Sequence, residues 1–242
     1  MKDWKEAYQL AKLELSQSWQ GFVFTFCFYM FVLSYLAVSL ESYLENDFMG
    51  YDFFFLLLFS IAGMWMKPKQ FQVQKQTEGF LAAPILLMQL QLPIRQEILI
   101  KSRFIIYFFY SFPWQIILLE VYYFITPIQD VLSLVSYIAF CLIWLSANVY
   151  IGTVFPISDA GEKGFTTTKL GTALTVVISL FAVFLLFLII YALSDHGVVY
   201  WTIVFAEKWP LVSSIISIII AYFALQAHQI YMKKVINKVD YV

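Results

Sequence analysis

Apolar residues run in long blocks along this chain, at Gly21–Leu40, Met49–Met66, Phe104–Ile128, Val131–Ile151, Leu170–Leu193 and Pro210–Tyr231. A hydrocarbon core about 30 Å thick takes roughly 20 apolar residues per helical crossing. Four of the six blocks contain no Asp, Glu, Lys or Arg, and read as spans on that ground alone. The second block is weaker: Asp52 interrupts it, and Phe53–Met66 is short for a full crossing, so it is expected to start at the outer headgroup level. The third carries Glu120 near its far end. The pattern predicts an all-α membrane protein of six transmembrane helices in one domain over residues 1–242. Within it, 20–66 holds the first two spans, 67–103 a long connection, and 104–242 the remaining four spans and a short tail.

Outside the blocks, Trp4, Tyr8, Ala11, Leu15 and Trp19 recur at helical spacing with Lys5, Glu6, Gln9 and Lys12 between them. This predicts an amphipathic interfacial helix over 1–19, its aromatic ends at headgroup depth. The 67–103 connection is the longest and contains the apolar patch Phe80–Met88, broken by Pro84. Between the last two spans, Gly197–Trp209 is aromatic and apolar but too short to cross, and reads as a helix dipping into the outer leaflet or as an interfacial loop.

Composition agrees: 62% of the 242 residues are hydrophobic and 13% charged, about half the charged share usual in soluble domains. The net charge of −1 matters less than where the charges sit. With six crossings, fourteen of the fifteen Lys and Arg fall on the side that holds both termini, and only Lys208 on the other. The excess of Lys and Arg in short loops sets orientation, so both termini are expected in the cytoplasm of a bacterial cell, with the chain in the inner membrane. Glu41, Glu45, Asp47 and Asp52 then collect outside without a basic neighbour.

No phosphate-binding loop is present, since Gly161-Glu162-Lys163-Gly164 has neither its spacing nor its Lys-Ser/Thr ending. His196 and His228 fall on opposite sides, and Cys27 and Cys141 lie singly in apolar runs, so no metal site, disulfide or catalytic set is expected. The charged, Trp-bearing start does not resemble a cleavable signal. Two polar residues in spans are candidates for a pathway. Glu120 either reaches headgroups and water or forms a substrate or proton site; Asn148, like Gln115, either bonds a neighbouring helix or lines the pathway. Ser213, Ser217 and Ala221 make a small-residue stripe for close helix approach, and Pro113 is expected to bend its helix.

Six spans, an amino-terminal interfacial helix and a long connection after the second span together resemble the permease subunits of type-2 ATP-binding-cassette exporters. The most specific stretch is Leu90-Gln91-Leu92-Pro93-Ile94-Arg95-Gln96-Glu97-Ile98-Leu99-Ile100-Lys101-Ser102-Arg103, similar to the segment that leads into the third span of such permeases; Gln96 and the lack of a serine after Pro93-Ile94 depart from that pattern. Independently, Pro93 suits the start of a helix, and Glu97 and Lys101 are spaced to pair. The resemblance implies a coupling surface at about Gln74–Gln91 that docks on a separate ATPase, with Phe80, Leu81 and Ile85 as its apolar contacts and Arg95 and Glu97 beside them. It also implies ATP and Mg on the partner ATPase, none bound here, and a second permease, identical or homologous. The cargo would be amphipathic: a lipid, peptide or drug. Nothing suggests nucleic acid. The competing expectation is a non-transporting multi-pass partner, such as a sensor or assembly factor.

Overall fold

In lipid every backbone N–H and C=O must find its partner within the chain, which restricts spanning segments to helices or closed barrels. A computed structural model, describing residues 2–46, 49–60, 67–77 and 79–239, is accordingly built almost wholly of helices. In chain order these are α1 (Lys2–Ser16), α2 (Trp19–Asn46), α3 (Met49–Ser60), α4 (Pro84–Leu90), α5 (Gln96–Ile125), α6 (Ile128–Val131), α7 (Leu134–Gly152), α8 (Val154–Asp159), α9 (Lys169–Ser194), α10 (Val198–Lys208) and α11 (Pro210–Lys238). Three short antiparallel strands, β1 (Gln74–Thr77), β2 (Phe80–Ala82) and β3 (Glu162–Lys163), form one sheet in that order.

Among the described residues, five helical stretches of 26 to 30 residues are long and apolar enough to cross a membrane. These are α2, α5, α7 with α8, α9 and α11, and the chain is a multi-pass membrane protein. The count is one short of the six expected. The weak second block supplies only α3, whose 12 residues rise about 18 Å; Ile61–Met66 lie outside the described residues. The helix α5 runs unbroken through Pro113.

Both termini share one end of the bundle, the terminal end, with the 67–95 connection and the sheet; the connections after α2, α5 and α9 make the far end. The helix α1 forms as its periodicity predicts, but it lies along α5. Ala7, Ala11 and Glu14 form its buried stripe, while Trp4 and Tyr8 face outward, Trp4 under the Lys101 ammonium at 5.4 Å. Small side chains allow the backbones to approach closely; bulky amphipathic ones suit the headgroup region.

The main core fills the far half. Tyr43, Tyr51, Phe55 and Phe59 stack in sequence, and Phe55 meets Trp144 edge-on with centroids 4.6 Å apart. Helices α7 and α11 meet along Ser213 and Ser217, and the Ser146 hydroxyl donates to the Ser217 carbonyl at 2.7 Å. By contrast, α9 buries only Gly171 and Phe187, so almost all of its surface faces outward.

At the far end, Asp52 accounts for the interrupted second block. It is buried, and its Oδ1 accepts from the Val199 N–H at 2.6 Å and the Tyr43 hydroxyl at 3.0 Å. Tyr200 N–H donates to the same Tyr43 oxygen. The carboxylate from α3 thus satisfies the open N-terminus of α10 and complements its dipole. A Cβ on Gly197 would stand 2.0 Å from Asp52 Oδ2, so glycine is required there. The helix α10 tucks Val199, Ile203 and Ala206 inward, and Trp144 Nε1 donates to Thr202 at 3.2 Å.

Gly152 provides a test of this packing, because a Cβ there would lie 1.9 Å from the Tyr107 hydroxyl. Gly152→Ala should displace that ring from Asn148 and destabilise the protein by about 1–3 kcal/mol. An unchanged thermal unfolding midpoint in detergent would show that the contact is not tight.

Candidate functional site

The terminal end concentrates the charge, and several of its acids and bases meet across elements. Arg95, which precedes α5, is exposed and pairs with Asp3 of α1. Glu97, in the first turn of α5, pairs with Lys233 of α11 at 3.1 Å. Lys101 stands 3.6 Å from Asp3. The expected Glu97–Lys101 pair within α5 therefore gives way to contacts with neighbouring helices, which packing brings within reach.

Further in, four charged side chains share one site nearly closed to solvent. Glu14 of α1, Lys67 after the second block, Arg103 of α5 and Asp159 at the end of α8 are each between 0 and 5% exposed. Arg103 Nη1 donates to Glu14 Oε2 at 2.8 Å and lies 3.6 Å from Asp159 Oδ2. Lys67 Nζ donates to Asp159 Oδ2 at 3.2 Å and lies 3.0 Å from Glu14 Oε1, an ion contact without hydrogen-bond geometry. Gln89 of α4 accepts from Arg103 Nη2 at 3.3 Å. Two anions against two cations leave no net charge, the condition under which burial is tolerable. The arrangement joins five segments, α1, the start of the connection, α4, α5 and α8, through one set of contacts.

A small platform surrounds this cluster. The β1–β2 hairpin turns at Gly79, whose φ is +75°, and β2 pairs with β3 of the other connection. Ala83 N–H donates to the Asp159 carbonyl, and α4 packs Leu86 against Leu99, Ile100 and Phe104 of α5.

The expected coupling residues take distinct places here. Phe80 is 8% exposed in β2, its ring 5.3 Å from the Lys163 ammonium and beside Gly161, where a Cβ would stand 2.7 Å from it. Leu81 and Ile85 are half-buried, Leu81 opposite Lys75 and Glu162 in the sheet and Ile85 against the α4–α5 core. Exposed apolar side chains nearby are Met88 on α4 and Leu92 after it.

The two polar pathway candidates are not brought together. Asn148 is buried on α7, where the Tyr107 hydroxyl donates to its backbone and side-chain oxygens, joining α5 to α7. Gln115 likewise donates to Tyr29 and to the Leu58 carbonyl. Glu120 instead faces outward in a groove between α5 and α7. The described residues contain no cluster of three or more His, Cys, Asp or Glu able to hold a metal.

Glu14, Lys67, Gln89 and Asp159 were not legible as a site in the sequence. The usable signal was an acid and a base of each sign at the boundaries of apolar blocks on one side. No family model, curated protein or solved structure matches the chain.

Removing one member of a buried ion cluster strands its partner, at a cost of about 3–5 kcal/mol. Glu14→Gln and Arg103→Gln should each lower the unfolding midpoint markedly, and the double variant should lose less than the sum; strict additivity would deny the coupling. A weaker, pH-dependent contact lies outside. The Arg95 guanidinium bonded to Asp3 holds that carboxyl below its ordinary 3.8. With the folded-state value depressed, the contact acts at higher pH and is lost as pH falls through that value. Asp3→Asn should make α1 docking, followed by Trp4 fluorescence, insensitive to acid in that range.

Proposed function

We propose that the chain is the transmembrane permease subunit of an ATP-driven exporter of the ATP-binding-cassette type, forming half of a translocation pathway and driven by a separate ATPase. On this reading the terminal end is cytoplasmic, in a bacterial inner membrane. ATP and Mg belong to the partner, and a second permease completes the pathway.

The observation that carries the reading is the buried cluster of Glu14, Lys67, Arg103 and Asp159. A subunit moved by a partner must pass displacement of its loops into its spans. Here the 67–95 connection is fastened to the first turns of α5, to α1 and to the end of α8, so a push on the platform would be carried into those helices. The fourteen basic residues at the terminal end and the resemblance of Leu90–Arg103 to a permease segment point the same way.

The burial of Phe80 sharpens the choice of docking residues. Substituting it would damage the sheet itself, whereas Leu81, Met88 and Leu92 are accessible. The tagged chain, purified in mild detergent, should carry a stoichiometric ATPase whose hydrolysis it stimulates. Met88→Asp combined with Leu92→Asp should release that ATPase while leaving stability within about 0.5 kcal/mol of the parent, as surface changes do. A chain that elutes alone and stimulates no hydrolysis would instead be the non-transporting membrane partner.

A further inference from the structure

The groove between α5 and α7 encloses about 440 Å³, within the range of small-molecule sites. Its walls are Ile116, Leu119, Tyr123, Phe124, Tyr137 and Cys141 among others, and Glu120 is the single charged residue that lines it. Among the described residues Glu120 makes no hydrogen bond and no ion pair.

Its depth makes that isolation significant. From Arg103 to Glu120 the helix rises about 25 Å, less than the hydrocarbon thickness of about 30 Å. Exposed apolar side chains continue beyond it toward the far end, with Phe124 and Ile125 on α5 and Leu134 and Val135 on α7. On that spacing the carboxylate falls within the last few ångströms of the apolar belt, where a charge among apolar side chains calls for a partner. The described residues do not supply one.

We infer that the α5–α7 groove binds a monocationic amphiphile, its quaternary or protonated amine against Glu120 and its hydrocarbon tail along the apolar walls. Charge complementarity selects the head. The remaining lining is apolar and the groove is open on the outer side of α5 and α7, so a ligand can enter sideways. This deepens the exporter reading by naming a substrate class, and rests on it only for the purpose of binding.

The test uses the full chain in phosphatidylcholine nanodiscs without any ATPase, with labelled dodecyltrimethylammonium as the probe and dodecanol as its uncharged counterpart. Wild type should bind the cation saturably, and Glu120→Gln should weaken that binding at least tenfold without altering dodecanol binding. The unfolding midpoint of Glu120→Gln should match wild type, because the side chain makes no hydrogen bond or ion pair among the described residues. Ile138→Trp, which narrows the groove but keeps the carboxylate, should reduce binding of both probes. Equal cation affinity in wild type and Glu120→Gln overturns the proposal, as does unaltered binding in Ile138→Trp. Failure of wild type to bind the cation, with Glu120→Gln converting a paired particle to a single copy, would assign the groove to a second permease and also overturn it. None of these results touches the exporter reading, which stands or falls on ATPase co-purification.

Discussion

Two acids and two bases, withdrawn together from solvent, hold the terminal end of this protein. Glu14, Lys67, Arg103 and Asp159 come from four segments distant in sequence, and each is expensive to bury alone. Because removing any one of them leaves a buried charge uncompensated, the cluster favours one arrangement of α1, the connection, α5 and α8. Around it, Arg95 with Asp3 and Glu97 with Lys233 add exposed braces of smaller weight. The sheet that joins the two connections across β2 and β3 is carried by this frame.

The far end is closed by a different device. Asp52 meets the N-terminus of α10, where backbone N–H groups lack helical partners, and Tyr43 shares the load. A charge that weakens α3 as a span thus becomes the tie between α3 and the short helix after α9. Between the two ends the bundle is held by stacked rings and by small residues, which do not discriminate direction. The polar closures at either end fix which helices stand together; the apolar middle fills the space they define.

The outward faces divide by chemistry. The helix α9 presents aliphatic side chains nearly all round, a surface suited to lipid tails. The α5–α7 groove differs by a single carboxylate within an apolar wall. Near the platform, Met88 and Leu92 place apolar area on the same end as most of the basic residues, where a water-soluble partner could reach it. These three surfaces are the ones the proposed function assigns to bilayer, cargo and ATPase.

Much of the architecture was legible without coordinates, because hydropathy over 20-residue blocks is a local property that a membrane imposes on each segment separately. The all-α class and the long helices follow from it, periodicity adds α1, and the described part of the doubtful second block is a short helix. Partner choice is not local. Periodicity marked the Trp4–Tyr8 face of α1 but could not tell that Ala7, Ala11 and Glu14 would seat it on α5. Glu97 had an acceptable partner four residues away and took one on α11 instead. Phe80, apolar in a polar connection, read as a docking contact and is a sheet core residue. Sequence by itself determined which segments are helical and which end carries the basic charge; only tertiary packing decided which acid meets which base, since burial makes those pairings matter and burial is a property of the whole fold.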